Sequence, residues 1–229
     1  MPFSNQTSSK LSSRQQLTNA GKMFVVTNPT PGTAIVHATV TAYSATANGL
    51  FVVQNNNPAN SGVNIYLDQM RLCQTAAAPG STLIKRFEVL SETGLVTGTG
   101  NVATRTPVNR NPAIANTTGA VVQSFAAGAI TIPAAVGTRR IMDILAMPTG
   151  VTVRYDAFNI TFGGETAWKN GGAAARATDP AEISISAAAV CITPQTTTWI
   201  NMWWLTQDTN VPQYEFSLTY AELQEDTDI

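Results

Sequence analysis

The chain has 229 residues with 13 basic and 14 acidic side chains, a net charge of −1. Charged residues make up only 12% of it, about half the usual share, and no apolar run approaches the roughly 20 residues of a membrane span. A single histidine, His37, excludes an imidazole metal cluster within one chain and any mechanism that needs two imidazoles.

Residues 1–22 are polar, rich in Ser and Gln, and charged only by Lys10, Arg14 and Lys22. Such a segment buries too little apolar surface to order by itself, so it is expected to be an N-terminal arm docked on a neighbouring chain. It lacks a basic stretch followed by an apolar one, so no signal peptide is expected and synthesis is placed in a cytoplasm. From Met23 the pattern turns to strands. Phe24–Val26 is short and apolar and runs into the turn signal Asn28-Pro29-Thr30-Pro31-Gly32. Ala34–Tyr43 alternates, with Ile35, His37 and Thr39 on one face. Leu50–Val53 follows, closed by Asn55-Asn56-Asn57-Pro58, and then Val63, Ile65 and Leu67 face opposite to Asn64, Tyr66 and Asp68.

Leu83–Leu90 and Val121–Phe125 read as further strands, separated by a long loop at 93–120 that holds Arg105 and Arg110. Ala129–Ile132, Arg139–Ala146 and Val151–Phe162 come next, then a second glycine-rich loop at 163–180. Glu182–Ile192, Thr197–Leu205 and Tyr214–Tyr220 complete the set. In Thr197–Leu205, Trp199, Asn201 and Trp203 share one face while Ile200, Met202 and Trp204 share the other. A strand apolar on both faces is central in a sandwich or covered by a partner. No convincing amphipathic helix is expected. Alternation and proline-bearing turns predict an all-β, antiparallel β-sandwich. The preferred reading is a single jelly roll over 23–229, with the arm at 1–22 and long loops. Two immunoglobulin-like sandwiches meeting near 93–120 are the alternative.

The chain holds 32 Thr, 31 Ala and 17 Asn, so its outside must be hydrated by neutral hydroxyls and amides. Such a surface has little like-charge repulsion and tolerates packing against copies of itself, although biased base composition would leave the same mark. Residues 1–176 net +7 and residues 177–229 net −8, ending in Glu222, Glu225, Asp226 and Asp228. The opposite-signed ends meet within a subunit, meet between neighbours, or stay solvated.

Few residues suggest chemistry. Gly98-Thr99-Gly100-Asn101-Val102-Ala103 partly matches a dinucleotide-binding turn but lacks the last glycine and a following helix. His37 is read as a satisfied strand histidine or a pH-sensitive contact. Glu88, Glu92, Asp143, Asp156 and Glu165 are the carboxylates from which a glycosidase pair would be drawn. The Asn55–Asn57 cluster is turn chemistry rather than a calcium site. Cys73 and Cys191 lack metal or redox spacing and are expected as two buried thiols, with a long-range disulfide left open. Trp203 and its neighbours are core, a subunit contact or a sugar-stacking platform. The balanced charge argues against nucleic acid. Arginines bridging subunits fit better. The expected subunit contacts are Lys10, Arg14, Lys22, Arg105, Arg110 and Trp203. No catalytic residue, cofactor, metal, small-molecule substrate or membrane partner is expected.

The Ala/Thr/Asn-rich strands, the run Ala129-Ile130-Thr131-Ile132-Pro133-Ala134-Ala135-Val136-Gly137-Thr138, the polar arm and the acidic C-terminus resemble bacteriophage virion proteins. The resemblance covers most of the chain in style and carries no fixed motif. It implies a structural, non-enzymatic subunit of a virus particle: a head decoration or cement protein, or else a capsid subunit. It implies partners that are copies of itself and other virion proteins, and a homo-oligomer for which a trimer is one form. A carbohydrate- or receptor-binding module of a phage tail is the alternative.

Overall fold

The computed structural model describes residues 12–37, 43–76, 85–146, 157–163, 182–204 and 213–225. Lys10, Asp156, Glu165, Trp168, Asp226, Asp228, most of the 163–180 loop and parts of the strands expected at 34–43, 83–90 and 151–162 lie outside them. The elements are one helix, α1 (Ser13–Asn19), and fourteen strands among the described residues. The first seven are β1 (Met23–Thr27), β2 (Ile35–Val36), β3 (Gly49–Asn55), β4 (Val63–Ala76), β5 (Lys85–Thr93), β6 (Thr99–Arg105) and β7 (Val108–Asn109). The rest are β8 (Ala120–Thr131), β9 (Arg139–Ala146), β10 (Ala157–Phe162), β11 (Glu182–Ala187), β12 (Cys191–Ile192), β13 (Thr196–Trp204) and β14 (Gln213–Gln224).

Two sheets pack face to face. Sheet A runs β11-β10-β4-β14-β1-β7, with β12 on β4 and β2 on β14, and sheet B runs β6-β8-β3-β13-β5-β9. The antiparallel pairs are nested: β1 with β14, β3 with β13, β4 with β10, β5 with β9. Each sheet takes alternate members of that nest, β10-β4-β14-β1 and β3-β13-β5-β9, which is the winding of a single jelly roll. The tandem-sandwich alternative fails on the same fact, because the first and last strands are hydrogen-bonded neighbours.

The core lies between the sheets. Phe51 of sheet B meets Phe216 of sheet A edge-on, with ring centroids 5.0 Å apart, and Phe125 lies 5.5 Å from the same ring. Cross-strand partners share a face, so Leu72 and Phe158 join Phe216, while Ile200 and Val89 join Phe51. All of these are buried.

The structure corrects the sequence reading at several points. Residues 93–120 are not one loop, because β6 and β7 lie within them. β6 is an edge strand of sheet B and its burial does not alternate, so it left no period-two signal. The two strands expected at 121–125 and 129–132 are one, β8, interrupted by a bulge where Ala127 and Gly128 take φ of 52° and 155°. In β4 a bulge at Asp68 shifts the phase, so the buried set passes from Ile65 and Leu67 to Met70 and Leu72. A helix is also present where none was expected. The Ser12 hydroxyl accepts the Gln15 amide and the Gln15 side chain accepts the Ser12 amide, a reciprocal cap that starts α1. Finally, the thiols are not both buried. Cys73 is half-buried and Cys191 exposed, both free, because Leu72 and Ile192 take the inward positions beside them. Cys191 pairs with Tyr66, seven residues along β4 from Cys73, or about 23 Å at strand rise. A disulfide needs Cα atoms within about 7 Å, so these two do not pair.

Candidate functional site

The outward face of sheet B carries the densest polar and aromatic cluster among the described residues. It forms where β5, β13 and β9 lie side by side. Register places Glu92 beside Thr197 and Arg139, Leu90 beside Trp199 and Ile141, and Glu88 beside Asn201 and Ile144. These positions face away from the core, yet most are covered. The 94–98 segment crosses over them: the Thr197 hydroxyl donates to the Gly94 carbonyl and accepts the Val96 amide, and Gln123 accepts the Gly98 amide.

Glu92 is the anchor. Its side chain is 0% exposed, against 18% for its partner Arg139. Arg139 donates Nε and Nη2 to Glu92 Oε2 at 2.8 and 2.6 Å, while Oε1 accepts the Val136 and Gly137 amides. The Arg139 guanidinium also stands over the Trp199 ring, 6.0 Å from its centroid. Glu88 is likewise buried and accepts from Asn201 Nδ2 at 2.8 Å and from the Tyr43 hydroxyl at 3.2 Å. Burial, and then the Glu88 carboxylate beside it, hold the Tyr43 phenol above its ordinary pKa, so it stays a donor. The Tyr43 ring packs edge-on against Trp203, with centroids 5.2 Å apart.

This arrangement braces the sheet and does not suit hydrolysis. Glu88 and Glu92 are four residues apart on one strand, about 13 Å at strand rise. Glycosidase pairs sit about 5–5.5 or 6.5–9.5 Å apart. The third candidate, Asp143, accepts the Ile144 amide with Oδ1 and the Ala188 amide with Oδ2, tying the two sheet edges together. Of the tryptophans of the sugar platform, Trp199 is fully buried and Trp203 is 7% exposed, so neither offers a ring face to a sugar, and the Trp204 side chain lies outside what the structure describes.

The expected contact residues are dispersed. Arg14 pairs with Asp68 of its own chain at 2.7 Å, so the described half of the arm lies on its own sheet A. Arg105 donates to Ser124 Oγ and the Phe125 carbonyl and stands over Phe216. Trp203 is internal. Lys22 and Arg110 are exposed and are brought together at the start of β1, where Glu222 N–H donates to the Lys22 carbonyl and Arg110 N–H to the Met23 carbonyl. His37 is buried, edge-on to Phe125 at 5.1 Å. The glycines at 98–100 lead into β6, with no helix after them. The Asn55–Asn57 cluster holds a loop: Asn55 Nδ2 donates to the Val63 and Ile192 carbonyls, and Asn57 Nδ2 donates to Asn55 Oδ1 and Glu222 Oε1. No helix among the described residues is long and apolar enough to cross a membrane.

Sequence reasoning named Glu88, Glu92 and Arg139 without joining them, and passed over Tyr43 and Asn201 as members of the cluster. Their union depends on which strands are neighbours, and no local pattern encodes that. Comparison with protein-family models, with curated proteins and with solved structures finds no match to this chain.

Proposed function

We propose that this chain is a structural subunit of a virus particle, a phage-type head decoration (cement) or capsid protein that reinforces the shell through contacts with copies of itself and with other shell proteins. The observation that carries the reading is the nested jelly-roll winding, an architecture that recurs in viral capsid domains.

The outward face of sheet A supports it. Two transverse rows cross four strands there, Val25–Thr219–Gln69–Thr161 and Thr27–Ser217–Arg71–Asn159. Eight positions carry one charge. Thr219 and Asn159 are buried, and the accessible polar rest of the rows, Thr27, Ser217, Gln69, Thr161 and Arg71, has little electrostatic cost to approach and short hydrogen-bonding groups to match. Of the carboxylates that hydrolysis would draw on, the described ones, Glu88, Glu92 and Asp143, are instead spent on amides, Arg139 and Asn201. Lattice avidity then multiplies modest contacts into a stable coat. In this reading the protein is made in the host cytoplasm and ends in the virion.

The test uses an antibody raised against the purified chain. Applied to particles banded in a density gradient from the source culture, it labels their shell, and the chain is present at fixed stoichiometry in the band. A chain confined to the unsedimented fractions overturns the reading.

A further inference from the structure

We infer that β9, the edge of sheet B among the described strands, is a self-pairing surface: two copies meet with their β9 strands antiparallel about a two-fold axis and continue one six-stranded sheet into the other. The inference deepens the particle reading and rests on it for its purpose, while the contact itself is tested in solution.

Three observations lead there. Among the described strands β9 ends the order of sheet B, so one side of it pairs with no described strand. Such an edge is a template for another strand. The exposed apolar side chains are also concentrated beside it. Isolated ones are ordinary surface, but six of the eight large ones among the described residues belong to this margin. Ile141, Met142 and Ile144 are on the strand itself, 55%, 42% and 56% exposed. Val136 precedes it and faces Gly94, next to Leu95, and Tyr43 is bonded to Glu88, the cross-strand partner of Ile144. Apolar side chains gathered along and beside one sheet edge in this way mark a contact.

Charge selects the occupant. A bulge between the Leu90 and Val89 partners leaves Met142 unpaired, so Arg140 and Asp143 both lie on the core-side face while Ile141 and Ile144 lie outward. In an antiparallel pair, residues directly opposite share a face. The register that sets Ile141 against the second copy's Met142 sets Arg140 against the second copy's Asp143, and the two-fold axis repeats that pair. Arg139, already spent on Glu92, falls opposite the second copy's Ile144 and meets no like charge. The strand is thus complementary to itself. An eight-residue edge is smaller than a standard stable interface, so a single contact is weak and gains strength only in an array.

Sedimentation equilibrium of the full chain tests this. The wild type is expected to dimerise as concentration rises. Arg140→Asp and Asp143→Arg each set like charges together and weaken the dimer by about tenfold or more. An equimolar mixture of the two variants restores both attractive pairs and dimerises again, which a fold defect cannot mimic. Since Asp143 also holds the Ala188 amide, Ile141→Lys at an exposed position is the second probe and is expected to abolish the dimer with an unchanged melting temperature. A wild type that stays monomeric at the highest concentration, or an Ile141→Lys chain that dimerises as before, overturns the inference. Gradient-banded particles that carry Ile141→Lys as well as wild type reject the edge and keep the virion. A β9 dimer whose chain never bands with particles rejects the virion and keeps the edge.

Discussion

Arg139 places two guanidinium nitrogens on a single oxygen of Glu92, and the other oxygen of that carboxylate accepts two consecutive backbone amides, Val136 and Gly137. One buried acid thus fixes the β8–β9 connection onto β5 and sets where the edge strand begins. The remaining ion pair among the described residues, Arg14 with Asp68, has half of its arginine in water. The two pairs look alike in distance and differ in environment.

Arg139→Ala is therefore expected to destabilise the fold by about 3–5 kcal/mol, because it leaves a buried carboxylate without its cation. Arg14→Ala is expected to cost no more than about 1 kcal/mol, because water and salt already screen that pair. Urea unfolding of the two variants beside the wild type measures the contrast. Equal losses would contradict the assignment of Glu92 as the anchor.

Asn55 offers a test with a pH signature. Its amide donates to the carbonyls of Val63 and Ile192, and its oxygen accepts from Asn57. In Asn55→Asp, a carboxylate would face two carbonyl oxygens in a fully buried site. The charged form is disfavoured, so the folded-state pKa of the new group lies above its unfolded value of about 3.9. The sign follows: the loss is smallest below that value, where the acid is protonated and donates to one carbonyl. It grows as pH rises and reaches about 3–5 kcal/mol once the group must ionise. The gap in melting temperature from wild type, measured between pH 4 and 8, is expected to widen with pH. A constant gap would show that Asn55 does not donate to those carbonyls.

Where one face of a strand is buried, the sequence announced it. The strands expected at Leu50–Val53, Thr197–Leu205 and Tyr214–Tyr220 were legible because core contact imposes a period of two or a continuous apolar run. What was lost has a physical reason in each case. β6 is an edge with little to bury. The bulges at Asp68 and at Ala127–Gly128 break the period that reveals a strand. The signal for α1 is four residues, Ser12 to Gln15, inside a segment whose overall composition is that of a disordered chain. The cluster around Glu88 and Glu92 and the apolar margin of β9 are relations between strands distant in sequence. Their residues could be named from the sequence, but their neighbours could not.

The cysteines test the outward positions on β4 and β12. Cys191 is exposed yet partly desolvated, and this burial raises its thiol pKa, offset in part by a hydrogen bond from Tyr66. Alkylation by iodoacetamide needs the thiolate. Cys191 is exposed where Cys73 is half-buried, so it is expected to react first, with a pH midpoint above that of free cysteine. Tyr66→Phe removes the hydrogen bond that favours the thiolate and moves the midpoint higher still. Peptide mass mapping across pH reads both, and a Cys73–Cys191 disulfide in the oxidised protein would contradict the strand register.

Two glycines separate close approach from backbone conformation. A Cβ at Gly137 would overlap the Thr93 carbonyl oxygen, which is backbone and unable to rotate away. Gly32 has φ of 80° and nothing within 4 Å of a Cβ. Gly32→Ala is expected to cost about 1–2 kcal/mol, the penalty of a left-handed conformation alone. Gly137→Ala is expected to cost about 3 kcal/mol, since the β5–β9 margin must move apart. It is also expected to loosen Glu92, so combining it with Arg139→Ala should give less than the sum of the two effects.

The helix α1 begins at its Ser12 cap, and truncation before and after it tests what the helix holds. Beyond the cap, Leu17 lies in a groove with Met23, Tyr66, Leu67 and Leu223, and Arg14 reaches Asp68. This half belongs to the sandwich of its own chain. Removing residues 1–20 strips α1 from sheet A, uncovers that apolar end and is expected to lower the melting temperature. Removing residues 1–11 leaves the Ser12 cap, the helix and the ion pair in place, so this variant is expected to melt above the longer truncation. If residues 1–11 nonetheless serve contacts between subunits, the shorter truncation alone weakens assembly without weakening the fold. Thermal melts and sedimentation on the same two variants separate these roles. A shorter truncation that melts like the longer one would mean that the first eleven residues are part of the sandwich.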